Sequence, residues 1–371
     1  KIELEYQEVS AKIAELKALL KSPKKMRQVV IDELKEVKTK YGDARRTQII
    51  QLGEGEKASQ LLTQTDVMPM EVFWVALTDD GRISRTVDDK PYRMGGSKAP
   101  WNLIRTNSHQ TIFLVTTEGK AAAIHALSIP VQSSPDEGVK VHKISPLVES
   151  DTLVEVFAVP MDTAELPERY IFSVSRLGMV KRSLISDLPG PSASSFTMAK
   201  VNEGDELYTV FITNGKEDIL LSTAQGMSIR FSEEEVRAMG LVAAGVNGLK
   251  LKEDDFVIGA GALHLRDNII VISRTGKAKR MEAKDFPQQG RYGQGVITWK
   301  LDGDDQLVVQ MIGKLTEKGI CHFRRAASRL FKVGDAAKRT RMANGQSLFD
   351  VKARDEIIGF TSIDDMTAFW E

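Results

Sequence analysis

"DILLSTAQGMSIRF", residues 218–231, is an apolar run, a Ser/Thr-rich turn closing on Gly226, and a second strand carrying Arg230. Apolar flanks around such a turn read as a β-hairpin. The pattern recurs in "FWVALTDDGRISRT" (73–86), "IFLVTTEGKAAAI" (112–124), "YIFSVSRLGMVKRS" (170–183), "NIIVISRTGKAKRM" (268–281) and "IGKLTEKGICHFRR" (312–325). The turn glycines read as Gly81, Gly119, Gly178, Gly226, Gly276 and Gly319. A second element recurs between hairpins, an acidic turn followed by an apolar strand: "DTLVEVFAV" from 151, "DELYTVFI" from 205, "DDFVIGAG" from 254, "DDQLVVQM" from 304 and "DEIIGFTS" from 355. About four strands per roughly 40–50 residues, six times over, predict a mostly β ring of propeller-like blades. The last strand has no hairpin after it and is expected to close the ring by completing the first blade beside Trp74, which protects an open edge.

The first residues follow another rule. Ile2, Tyr6, Val9, Ile13, Leu16 and Leu20 alternate spacings of four and three, a heptad seam. Ser22 is placed to cap a new helix with Pro23 at its first position. A second stripe, Met26, Val30, Leu34, Val37 and Tyr41, ends at Gly42. The expected organisation is a helical coiled-coil hairpin over 1–44 and a six-bladed β domain over 45–371. A seam this regular calls for a partner.

The chain has 371 residues, 42% apolar and 27% charged, with 51 basic and 51 acidic side chains and one cysteine, Cys321. A disulfide framework is excluded, and a reducing cytoplasm is the expected setting. The apolar runs fall well short of a membrane span, so no membrane partner is expected. No signal peptide opens the chain, and a start on Lys1 suggests a piece of a longer protein. The five histidines stand at no metal-ligand spacing, and no nucleophile elbow or zincin motif occurs. Asp254-Asp255 and Asp304-Asp305 read as solvated turns rather than Mg²⁺ ligands. "QQGRYGQG" (288–295) has three glycines that neither match a dinucleotide fingerprint nor open a helix, and the chain contains no Walker loop. No cofactor is expected in this chain.

At these residues the sequence resembles the A subunits of DNA gyrase and the related C subunits of topoisomerase IV. Residues 1–49 are similar to the distal part of that family's coiled coil. Residues 73–86 resemble the first blade of its C-terminal domain, and "EGDELYTVFITNGKEDILLSTAQGMSIRFSEEEVRAMGLVAAGVNGLKL" (203–251) resembles the fourth blade along its length. The resemblance implies a six-bladed β-pinwheel that binds and bends duplex DNA around its outer edge. The family's first blade carries a box, Q-R-R-G-G-K-G. The matching place here is "YRMGGSK" (92–98), where Arg93, Gly95 and Gly96 agree and Lys98 supplies a charge one step late. In "QGRYGQG" (289–295), Gln289, Arg291, Gly293 and Gly295 agree. Implied partners are double-stranded DNA, the gyrase B-type ATPase, and a second copy through the parent protein. ATP and Mg²⁺ would be used by other parts of the parent enzyme, in the cytoplasm at the nucleoid.

A basic strand repeated on every blade offers phosphate contacts at regular intervals without base readout. The candidate contacts are Arg82, Arg85, Arg93, Lys98, Lys181, Arg182, Arg230, Lys277, Lys279, Arg280, Arg291, Arg324 and Arg325, together with Gly95, Gly96, Gln289, Gly293 and Gly295. Period-two alternation places Lys279 and Arg280 on opposite faces, so the set cannot act as a whole. Glu233, Glu234, Glu235, Asp364 and Asp365 are expected on an opposing acidic surface. Residues 1–44 hold ten basic and eight acidic side chains, which leaves the blades slightly acidic. DNA binding therefore cannot rest on bulk charge. The alternative readings are a propeller used as a protein-interaction ring and, more weakly, a small-molecule enzyme with its site in the central channel.

Overall fold

A computed structural model describes residues 2–42, 68–162 and 166–370. The chain forms two compact units, Lys1–Thr63 and Gln64–Glu371. The expected boundary at 44/45 lies outside the described residues.

The first unit contains helix α1, Ile2–Leu20, and helix α2, Pro23–Tyr41. Ser22 caps α2 by accepting the Lys25 N–H at 3.4 Å, and Pro23 opens it. Neither helix buries a residue: Ile13 and Leu16 are 47% and 49% exposed. Their apolar seam is therefore solvated among the described residues.

The second unit is six blades, five of four strands and the sixth of three, with a regular exchange. In the fourth, the strands lie in the order Val257–Leu263, Asp218–Thr223, Met227–Ser232, Val296–Ile297. The first three come from one repeat, whereas the fourth, outermost strand comes from the next. The third blade takes Val246–Asn247 and the fifth takes Gln346–Ser347 in the same way. The first and second take Val139–Lys140 and Phe196–Thr197. Between the blades lie apolar seams, with Phe172 and Val174 of the third packed on Ile219, Leu221 and Phe231 of the fourth.

In blades three to six the hairpin turn is locked by the aspartate that precedes the blade's inner strand. Asp255 accepts Thr223 Oγ1 at 2.6 Å and the Gln225 N–H at 2.9 Å, and Asp205, Asp305 and Asp355 do the same work on their own blades. The second aspartate of each pair, Asp255 and Asp305, is thus a turn lock.

Two expectations are corrected. Gly319 is not a turn glycine: it lies inside the strand Lys318–Phe323, and blade six turns through Arg324–Ser328 with no positive φ. The last strand, Ile357–Asp365, completes the sixth blade rather than the first. Only its end reaches blade one, where Ile363, Asp364 and Asp365 pair in parallel with Leu103, Ile104 and Arg105 of the inner strand Asn102–Asn107. The first repeat follows the exchange rule too, because Gly96 bridges Ser328 of blade six by N–H···O contacts of 2.9 and 3.2 Å. The ring is closed.

The closing seam differs from the rest. Five seams each bury ten to fifteen apolar residues, while the one between blades six and one buries Ala76, Tyr92 and Leu103. Polar contacts take over there. His322, 3% exposed, stacks on Trp101 at 4.2 Å and bonds Ser328 Oγ at 2.9 Å and Thr361 Oγ1 at 2.8 Å. Thr361 gives its proton to the Trp101 carbonyl at 2.7 Å, so it accepts from Nε2–H, leaving Nδ1 to accept from Ser328. Arg105 pairs with Asp89 at 2.6 Å and with Asp365 at 3.2 Å across the seam.

Two measurements check this account. Gly226 has φ +83°, and a Cβ there would lie 2.1 Å from the Trp299 carbonyl; Gly204 has φ +78° with open space around it. Gly204→Ala should cost about 1–2 kcal/mol of left-handed strain, and Gly226→Ala clearly more, in paired chemical denaturation. Burial holds His322 at about 4, below its ordinary value. The unfolded chain then binds the extra proton first, so this contribution is complete above pH 6.5 and is lost as pH falls toward 4. The stability difference between wild type and His322→Gln should shift against wild type by about 3 kcal/mol from pH 7 to 4.

Candidate nucleic-acid interface

Strand exchange puts one loop at the outer edge of every blade. Residues 93–98 lie on blade six, 238–245 on blade three, 288–295 on blade four and 338–345 on blade five, each just before or at its bridging strand. The two box-like stretches recognised in the sequence are thus equivalent edge loops.

Beneath the loops runs a column of arginines, Arg85, Arg182, Arg230 and Arg280, whose backbones bridge Val131, Ala238, Gln288 and Lys338. Their side chains serve the fold. Arg230 pairs with Asp218 at 2.6 Å and donates to the Phe286 carbonyl at 3.0 Å. Arg182 lies over the Tyr170 ring at 4.5 Å and donates to the Gly215 carbonyl. Arg85 stacks on Phe73 and donates to the Ile129 carbonyl, and Arg280 donates to Asn268 Oδ1 at 2.7 Å. All four are partly buried.

Lys181 and Lys279 are corrections. They are 2% and 0% exposed, because strand alternation turns them under the edge loops. Lys279 Nζ donates to the carbonyls of Arg341 at 2.6 Å, Ala343 at 2.8 Å and Thr340 at 3.2 Å; Lys181 Nζ donates to those of Met198 and Leu241. Burial lowers both ammonium groups to about 8. They are loop clamps, out of reach of a phosphate.

The remaining candidates divide by partner. Arg82 pairs with Asp80 at 3.0 Å, Lys98 with Asp136 at 2.6 Å, Arg324 with Glu356 at 2.7 Å, and Lys277 lies 4.0 Å from Asp302. Arg325 is exposed in the blade-six turn, with its N–H on Asp355. Arg93 is exposed with no ion pair among the described residues. Arg291, half-buried, donates one NH1 bond to the Asn247 carbonyl, and its N–H bonds Glu235 at 2.7 Å. Gln289 anchors its loop through an N–H on the Arg230 carbonyl, Gly293 accepts the Lys250 N–H, and Gly295 turns with φ +75°. Gly96, at φ +98°, makes the closing bridge to blade six, and Gly95 lies beside the Ser328 carbonyl. The opposing acidic surface does not form as expected. Glu233 is fully buried on Thr213 and the Glu217 N–H, Asp365 pairs with Arg105, and Glu235 sits beside the Arg291 loop.

The edge loop of the sixth repeat escaped the sequence reading. "KRTRMANG" (338–345) brings Lys338, Arg339 and Arg341 to blade five, and Arg341 repeats the Arg291 contact by donating to the Ile297 carbonyl at 2.9 Å. Aligning the loops instead of the hairpins exposes it. Among the described residues no His/Cys/Asp/Glu group fits a metal, and no helix is long and apolar enough to cross a membrane. Stability should separate the two arginine classes: Arg230→Ala strands Asp218 and should cost about 3 kcal/mol, whereas Arg93→Ala should stay within about 0.5 kcal/mol in urea unfolding.

Comparison with known proteins agrees with the repeat boundaries. The family described as DNA gyrase C-terminal domain, beta-propeller, matches residues 169–214, 217–263 and 267–309, which are repeats three, four and five. The DNA gyrase A protein of Staphylococcus epidermidis is 30% identical over 369 residues, covering 90% of this chain; the chain spans 40% of that relative's length. The solved C-terminal domain of a DNA topoisomerase IV shares the fold with TM-score 0.69 at 22% identity, over 81% of this chain and 97% of that one. A DNA gyrase A C-terminal domain does so with TM-score 0.63 at 18% identity, over 79% and 100%. The chain belongs to the family of DNA gyrase A C-terminal domains, and it shares its fold with the topoisomerase IV C-terminal domain.

Proposed function

We propose that the ring binds duplex DNA along its outer edge, bends it, and presents it to the cleavage core of a type II topoisomerase. One observation carries the reading: solvent-accessible arginines stand on glycine-containing loops at the outer edge of successive blades, Arg291 on four, Arg339 on five and Arg93 on six. These loops offer charge and backbone N–H groups, which suit phosphates and carry no base code. Bending a short duplex by 40–90° costs about 1–6 kcal/mol, so several edge contacts must act together. In this reading strand cleavage, ATP hydrolysis and Mg²⁺ belong to other parts of the parent enzyme, whose partners are a B-type ATPase and a second copy of the parent protein. The chain itself contributes binding and shape, at the nucleoid in the cytoplasm.

Titrating a labelled duplex against the chain at several salt concentrations tests this. Log affinity should fall linearly with log salt, with a slope of about −0.9 per phosphate contacted. Arg93→Glu/Arg339→Glu, at two exposed edge arginines, should reduce that slope by about 2 while the melting curve is retained. Duplex affinity absent at low salt would transfer the case to a protein-interaction ring.

A further inference from the structure

We infer that DNA contact is confined to half of the ring, an arc over blades four, five and six. The inference rests on the DNA-binding reading and adds where the duplex runs. The edge loops of these three blades carry Arg291, then Lys338, Arg339 and Arg341, then Arg93 and Lys98, and contain no acidic residue. The other three loops differ. On blade one "IPVQSSPDEG" (129–138) carries Asp136 and Glu137 and no base, on blade two "LPGPSASS" (188–195) carries no charge, and on blade three "AMGLVAAG" (238–245) is uncharged.

The arc is built as one surface. Arg341 of the blade-five loop donates to the Ile297 carbonyl in the outer strand of blade four, and Arg291 of the blade-four loop reaches the Asn247 carbonyl in that of blade three. Leu241 holds the corresponding place in the blade-three loop, so the chain of arginine contacts ends there. Lys338 pairs with Glu282, so among the described residues the free charge of this loop is that of Arg339 and Arg341; an open pocket of about 300 Å³ beside it is lined by Arg280, Asp335 and Lys338. At blade six, Arg329 opens the edge strand Arg329–Lys332, exposed and without an ion pair among the described residues, beside the Gly96–Ser328 bridge that brings in Arg93. At the far end Lys98 is already paired with Asp136 of the blade-one loop, which marks where the basic surface stops. A duplex leaving blade six would next meet Asp136 and Glu137. The chemistry therefore favours a bend held by three blades over a turn held by six.

Two double variants with the same change in formal charge test this. Arg329→Glu/Arg339→Glu lies in the arc. Lys143→Glu/Arg237→Glu lies outside it: Lys143 follows the outer strand of blade one and Arg237 immediately precedes the blade-three loop, and both are exposed. The arc variant should lower duplex affinity at least tenfold and reduce the salt slope by about 2, while the outside variant stays within twofold of wild type. Arg329→Gln/Arg339→Gln should show about half the arc effect with an unchanged melting curve, which separates lost contacts from misfolding. Equal losses in the two double variants would mean that DNA follows the whole rim and would overturn the arc, as would no loss in either. Failure of the wild-type chain to bind any duplex would instead remove the DNA reading on which the arc rests.

Discussion

Five blades take their outermost strand from the next repeat, and the sixth is bridged by the first repeat at Gly96 and Ser328. An unpaired sheet edge is costly and prone to wrong association, so this exchange ties each repeat to its neighbour through backbone hydrogen bonds. The remaining features follow from that constraint. The segment that crosses to the preceding blade must turn at the outer edge, which creates one loop per blade. The arginines beneath the loops and the lysines under them hold those crossings in place. Closure also follows, since the first repeat obeys the same rule through Gly96 and Ser328.

Closure has its own chemistry. Apolar packing holds five seams, while the sixth depends on His322, Thr361, Trp101 and the Arg105 ion pairs. Such contacts demand correct geometry and give less when it is lost, because a buried polar group without its partner is penalised. The sixth seam joins chain segments about 260 residues apart, where Arg105 meets Asp365 and Thr361 meets Trp101. Directional bonds there specify which two edges meet.

Much of the fold was legible because its punctuation is chemical. Glycines with positive φ end five hairpins, and aspartates lock four of the turns. The sixth was misplaced because Ala326 stands in a longer turn that needs no left-handed residue, which left Gly319 as a decoy. The site was less legible. Alternation shows that Lys279 and Arg280 face opposite ways, but not which face a loop from the next repeat covers. That loop is what buries Lys279. Recurrence of a basic residue was itself ambiguous, since the repeated arginine is repeated for a structural reason. The informative signal was the loop before each outer strand, where Arg339 and Arg341 lie.

What the ring does with DNA depends on whether edge contacts can offset duplex stiffness. Phosphate contacts are individually modest and salt-sensitive, and a bend is stable only when contacts fall on successive blades. The most direct measurement is energy transfer between dyes at the two ends of a short duplex, read with and without the chain at low and high salt. The account predicts that the ends draw together on binding and separate again as salt is raised. A duplex that binds the chain and keeps its free end-to-end distance would contradict it.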